Sequence, residues 1–244
     1  MLQTIKKIIP NTLTSCNLIA GCIATFHAFT GNVDIALLWI VIGAAFDFFD
    51  GMSARLLHVS SPIGKELDSL ADDITFGFAP AAIVFTLLRA LFPTTACSAG
   101  TCPVAGLIPY AAFLIAAFSA LRLAKFNLDE RQSTSFIGLP TPANALFWGS
   151  FILGWHDQLE SSPWALPLLL VLILLSCYLL IAEIPMFALK FKHWGWAENQ
   201  LKYIFILCCI PILLVCGVAG ISLIIVWYIL VSVYKNFTDK LKQQ

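Results

Sequence analysis

DFFDGMSARLLHVSSPIGKELDSLAD, residues 47–72, decides how this chain is read. It sets four aspartates, Asp47, Asp50, Asp68 and Asp72, inside otherwise apolar segments. A charged side chain near the middle of a bilayer costs about 2.5–3.5 kcal/mol even on lenient insertion scales, so four together mark a functional site. The spacing is i, i+3 for Asp47 and Asp50 and i, i+4 for Asp68 and Asp72, so each pair shares one helix face. Two such faces meeting across a helix hairpin gather acidic oxygens around a hard divalent cation.

Outward from this stretch, the 244 residues are 59% hydrophobic and only 11% charged, with mean hydropathy +0.88. Soluble domains carry about 25% charged residues, so the composition predicts an all-α integral membrane protein. The first apolar stretch is followed by many more and reads as a retained span rather than a cleaved leader. Hydropathy predicts eight transmembrane helices, near 11–29, 34–57, 66–92, 104–126, 141–156, 164–187, 201–217 and 219–236. With both termini cytoplasmic, only Arg89 of the 14 Lys and Arg residues falls on the outer side. That pattern puts the aspartates at the cytoplasmic side. LQTIKKIIP opens the chain as a short amphipathic segment, residues 1–10, expected to lie along the anionic inner surface and to end at Pro10. One membrane domain spans 11–236, and 237–244 form a cytoplasmic tail. Formal net charge is zero, and no nucleic-acid partner is implied. Six of the eight cysteines fall in spans, where small apolar packing accounts for them; Cys97 and Cys102 fall in a predicted outer loop whose compartment admits a structural disulfide.

Small residues accompany the acids. Gly51 is i+4 from Asp47, Ala54 is i+4 from Asp50, and Gly64 is i−4 from Asp68, which leaves room for a bulky anion beside a metal. Ser61-Pro62 has the form of an N-cap followed by proline at the first helical position, so a helix starts there with its positive end toward the site. Arg55 adds a fixed guanidinium fork near the inner face. Oxygen donors without His or Cys favour Mg²⁺ or Mn²⁺, with Ca²⁺ also admissible, and shared carboxylates suit two ions. Carboxylates alone would also suit a divalent cation transporter. Arg55 and the glycine spacing favour a metal-bound phosphate instead, and no pair of broken helices at the midplane recommends transport.

The motif D-x2-D-G-x2-A-R-x8-G-x3-D-x3-D matches at every fixed position that of the CDP-alcohol phosphatidyltransferases, and the chain resembles that family of membrane enzymes of phospholipid synthesis. The resemblance implies a binuclear metal site on Asp47, Asp50, Asp68 and Asp72, with Asp72 also the general base. It implies that Gly51, Arg55 and Ser61 contact the CDP-lipid; Ala54 and Gly64 flank the same face, and Asn11 and Thr14, i, i+3 on the first helix, line the same nucleotide pocket. Outside the motif, IPNTLTSCNLIAGCIA, LRLAKFN at 121–127 and FIGLPTPANA at 136–145 resemble the phosphatidylserine synthase branch. That branch implies CDP-diacylglycerol and L-serine as substrates, a homodimer, and a bacterial inner membrane. A serine acceptor brings a carboxylate that Arg122 and Lys125 would hold, with Asn127 and Thr141 orienting the amino acid. A sister enzyme using glycerol 3-phosphate or an inositol phosphate would need a denser basic pocket than this stretch supplies.

Overall fold

The computed structural model describes residues 2–59, 61–92, 105–129, 136–186 and 195–241. It is almost wholly helical: α1 Leu2–Phe29, α2 Val33–Leu56, α3 Pro62–Asp72, a π-helical turn Asp73–Phe78, α4 Ala79–Leu91, a 3₁₀ segment Ala105–Phe113, α5 Leu114–Leu128, α6 Thr141–Gly154, α7 His156–Ser161, α8 Ala165–Ile181, α9 Trp196–Cys216 and α10 Ala219–Leu241. A two-residue antiparallel pair, β1 Phe136–Ile137 with β2 Pro185–Met186, ties the segment before α6 to the segment after α8.

Each predicted span falls mainly on helix, that at 164–187 running past the end of α8 at Ile181, and the all-α membrane class stands. The number of crossings is a different matter. Among the described residues five helical stretches are long and apolar enough to cross a bilayer: Ile8–Phe29, Val33–Leu56, Pro62–Leu91, Gly106–Leu128 and Ala219–Thr238. The stretch predicted at 141–156 is the 14-residue α6, and Ala165–Ile181 and Lys202–Cys216 are also short. The reason is visible in α6, whose Thr141, Asn144, Ala145, Trp148, Gly149, Ser150 and Ile152 are buried in protein rather than turned to lipid. Hydropathy reads the two kinds of burial alike.

A second difference concerns Pro10, expected to end an interfacial segment. Helix α1 runs straight through it. Proline removes one hydrogen bond, to the carbonyl of Lys6, and so close to a helix end that carbonyl is easily satisfied from outside the helix. Cys97 and Cys102 lie outside the described residues.

The core is centred on α4, where Ala79, Pro80, Ala81, Ala82, Ile83, Val84, Leu87 and Leu88 are all buried. Around it pack Ile40 of α2, Phe76 of the π turn, Ile115 of α5, Trp148 and Ile152 of α6, and Leu169 and Ile173 of α8. One end is closed by an aromatic cluster in which Phe113 stacks on Phe78 at 5.7 Å and on Phe85 at 5.1 Å between ring centroids. Such offset pairs add about 0.5–1.5 kcal/mol each beyond area burial. Outward-facing Ile19, Phe26, Leu38, Phe48, Leu207 and Leu214 are exposed, as a lipid-facing surface requires.

Candidate active site

The hairpin between α2 and α3 builds the acidic cluster. Helix α2 ends in a six-residue closing turn: the Val59 amide donates to the Ala54 carbonyl at 3.0 Å and the His58 amide to the Arg55 carbonyl at 3.2 Å. His58 takes φ +50°, the left-handed position that glycine usually fills in this turn. Three residues later Ser61, in extended conformation, accepts from the Gly64 amide at 3.0 Å through Oγ, and Pro62 opens α3. The predicted cap is therefore formed. The turn folds the two acidic faces together, so that one carboxylate oxygen from each of Asp47, Asp50 and Asp68 lies within 4.8 Å of the other two.

That geometry fits a divalent cation. Oxygens held 2.0–2.6 Å from Mg²⁺ or Ca²⁺ lie at most about 4–5 Å apart across the ion. The Asp68 Oδ1 atom is buried and has no protein partner, a cost that a bound cation would remove. Asp72 is not one of the three clustered acids. Its Oδ1 instead accepts from Asn17 Nδ2 at 3.1 Å.

Helix α1 supplies the third wall. The Thr14 hydroxyl lies 2.6 Å from Asp50 Oδ2 and 3.0 Å from the Pro10 carbonyl. Close approach of α1 to α2 allows the first of these bonds, and its approach to the π turn adds another. The Thr75 hydroxyl donates to the Asn17 carbonyl at 3.0 Å. A Cβ on Gly21 would meet Thr75 Cα at 2.8 Å, and one on Gly43 of α2 would meet Asn17 Oδ1 at 2.9 Å. Small residues at these crossings bring the three backbones together, as at many membrane helix interfaces.

A cavity of about 330 Å³ opens beside the acids, lined by Pro10, Asn11, Thr14, Asp50, Gly51, Ala54, Val59, Ser61, Gly64, Lys65 and Asp68. Six of the residues expected at a nucleotide lie on it: Asn11, Thr14, Gly51, Ala54, Ser61 and Gly64. Arg55 does not line it; its Nε donates to the Gly51 carbonyl at 2.8 Å, one turn back along α2. Asn17 and Lys65 belong to the site and were not anticipated. Asn17 continues the i, i+3 polar row of Asn11 and Thr14, a signal present in the sequence; Lys65 stands in the first turn of α3, and its Nζ donates to the Asn127 carbonyl at 2.9 Å.

The four residues expected at an acceptor are dispersed. Arg122 and Lys125 line a second cavity of about 370 Å³ with Leu128, Asp129, Ile137, Leu180, Ile181, Ala182 and Glu183. Arg122 is 7% exposed, its Nε has no partner, and its guanidinium is close enough to interact electrostatically with Asp72. Its guanidinium carbon lies over the Phe126 ring, 5.9 Å from the centroid. Asn127 instead bridges α5 to α3, donating from Nδ2 to Ser69 Oγ at 2.7 Å. Thr141 is buried at the start of α6 and lines neither cavity.

Among proteins of known activity, the chain is 38% identical over 134 residues to the CDP-diacylglycerol–serine O-phosphatidyltransferase of Bacillus subtilis, covering 55% of this chain and 69% of that one. It is 35% identical over 139 residues to the enzyme of that name from Helicobacter pylori, covering 56% of this chain and 54% of that one. The corresponding protein of Saccharomyces cerevisiae is 39% identical over 119 residues, 45% of this chain and 38% of that one. The chain thus spans only about half, or less, of the length of two of these relatives. A sequence model of the CDP-alcohol phosphatidyltransferases matches residues 7–175, which include every wall of the acidic cavity. With well over half its length matched, and with three of the motif's four aspartates folded into one cluster, the chain belongs to the CDP-alcohol phosphatidyltransferase family.

Proposed function

We propose that this chain transfers the phosphatidyl group of CDP-diacylglycerol to the hydroxyl of L-serine, giving phosphatidylserine and CMP. The observation that carries this reading is the junction of three carboxylates, two α2 small residues and the capped start of α3 on one cavity. The serine acceptor is favoured by the relatives, which are serine enzymes across bacteria and yeast. Bound at Asp47, Asp50 and Asp68, one or two divalent ions, Mg²⁺ or Mn²⁺, would draw charge from the pyrophosphate and stabilise departing CMP.

The chain's own groups supply the remainder. Gly51, Ala54 and Gly64 leave the backbone open to the nucleotide, and the Ser61-capped end of α3 faces its negative charge. Asn11 and Thr14 border the same space, and Arg55 stands one turn from Gly51 for the outer phosphate. Asp72, held at Oδ1 by Asn17, keeps its second oxygen to take the serine hydroxyl proton. The new bond joins the serine oxygen to the phosphorus that carries diacylglycerol; the bond from that phosphorus to the CMP oxygen breaks, and its electrons leave with CMP. Arg122 and Lys125 receive the serine carboxylate, Arg122 within electrostatic range of Asp72. Asn127 and Thr141 act at a distance, by fixing α5 on α3 and the start of α6. In this reading the site faces the cytoplasm of a bacterial inner membrane, and the enzyme works as a homodimer.

The test is CMP release by purified protein from CDP-diacylglycerol with Mg²⁺ or Mn²⁺, comparing L-serine, glycerol 3-phosphate, inositol phosphate and no acceptor. Serine-dependent release that disappears in Asp72→Asn is the expected result. Release with another acceptor alone would refute serine, and release in none would refute the transferase reading for this chain.

A further inference from the structure

Lys65 stands on the wall of the acidic cavity, yet the reaction described above gives it no part. Among the described residues lining that cavity it is the single cation, set beside Asp50 and Asp68. Arg55, the cation expected there from the sequence, does not line the cavity and spends its Nε on the Gly51 carbonyl. The three clustered carboxylates and a diphosphate together carry more negative charge than two divalent ions cancel. A further positive charge on the wall favours the occupied site.

The ammonium is held by α5 rather than by its own helix. From the first turn of α3, Lys65 Nζ donates to the Asn127 carbonyl at 2.9 Å. That carbonyl belongs to the last turn of α5, where backbone oxygens lack partners within the helix and carry the negative end of its dipole. Asn127 is itself fixed from α3: its Nδ2 donates to Ser69 Oγ at 2.7 Å, and the Ser69 hydroxyl donates to the Lys65 carbonyl at 3.2 Å. Three residues thus close a ring between the two helices. An ammonium has three N–H donors, and this mount uses one. Two remain for oxygens that enter the cavity. Because the mount already orders the long side chain, a ligand meeting it loses less to rotamer entropy.

We propose that Lys65 is a phosphate-binding residue of the acidic cavity, mounted on the end of α5, with its remaining donors taken by the CDP diphosphate. The inference rests on the transferase reading, which supplies the nucleotide. Lys65 falls between Gly64 and Asp68, at a position that the motif leaves open, so the pattern of fixed residues does not announce it.

The experiment measures the Kd for CDP by calorimetry, and that for cytidine by its displacement of CDP, in detergent with Mg²⁺ at low and high salt. Release of CMP from CDP-diacylglycerol is followed alongside, in wild type, Lys65→Gln, Lys65→Arg and Ser69→Ala. In Lys65→Gln the Kd for CDP should rise about tenfold, the low end for a bond to a charged group because Lys65 is exposed. The Kd for cytidine, which has no phosphate, should not move. Salt should weaken CDP binding less in Lys65→Gln than in wild type, since the screened pair is gone. Lys65→Arg, which keeps the charge, should recover most of the CDP affinity, and Ser69→Ala, which loosens the mount alone, should weaken CDP by a smaller factor than Lys65→Gln. Equal weakening of CDP and cytidine in Lys65→Gln would reduce Lys65 to a cap for α5 and overturn the assignment. If wild type releases CMP but Lys65→Gln binds CDP as tightly as wild type does, the assignment falls alone. A wild type that neither binds CDP nor releases CMP overturns the transferase reading and this inference together.

Discussion

Adding one methyl group at Gly21 tests the claim that backbone contact between α1 and the π turn sets the site. In Gly21→Ala the new Cβ would overlap the Thr75 hydroxyl and sit 2.8 Å from Thr75 Cα and 2.9 Å from its amide nitrogen. Ordinary carbon contacts lie at about 3.5–4.0 Å, so α1 must move away by roughly 0.7–1.2 Å. The Thr75–Asn17 hydrogen bond, 3.0 Å long, would pass out of range. Overpacking costs about 1–3 kcal/mol, and the lost bond adds about 1 kcal/mol. Because Asn17 also holds Asp72, activity should fall further than stability does. A displacement of about 1 Å at a reacting group costs on the order of 100-fold. The assay pairs steady-state CMP release with thermal melting in detergent, and Cys22→Ala, at the exposed neighbouring position, serves as control. Thr75→Ser should not rescue Gly21→Ala, since the obstructing atoms include backbone. Activity within twofold of wild type and an unchanged melting temperature in Gly21→Ala would refute the reasoning.

Three further outcomes follow from the same geometry. Thr14→Val keeps the shape but leaves Asp50 without its 2.6 Å hydroxyl partner, so the Mn²⁺ concentration for half-maximal CMP release should rise about 10–100-fold. His58→Gly should raise the melting temperature, because relief of left-handed strain of about 1–2 kcal/mol outweighs the added chain entropy of about 0.5–1 kcal/mol. Chelation should abolish CMP release, and Mg²⁺ or Mn²⁺ should restore it; full activity after exhaustive chelation, checked by elemental analysis, would remove the metal from the site.

Much of the acidic site was legible because carboxylates in apolar helices are too costly to be incidental, and because Ser61-Pro62 is a local cap signal that needs no tertiary context. Asn17 was harder to read. A neutral amide in a membrane helix costs far less than a carboxylate, and its partner stands 55 residues away. Among the described residues five helical stretches have the length and hydropathy of a crossing where eight were predicted, and α6, which falls short, is apolar toward protein neighbours that hydropathy treats as lipid. Arg122 and Lys125 were legible as a pair at i, i+3, whereas their shared cavity depends on a strap that pairs Phe136 with Met186. Nothing in DITFGF announces a π turn, since one extra residue per loop of hydrogen bonds leaves no mark on composition.

That π turn offsets the rotational phase of the two halves of Pro62–Leu91. The first half must aim Asp68 and Asp72 at the reaction; the second must bury a continuous face of α4 in the core. On an unbroken α-helix both demands would share one phase, and a shift of a single residue would turn each by about 100°. The wide turn works as a phase adjuster between chemistry and packing. Deleting one residue within 73–78 would therefore turn the acids by about 100° relative to the buried face of α4.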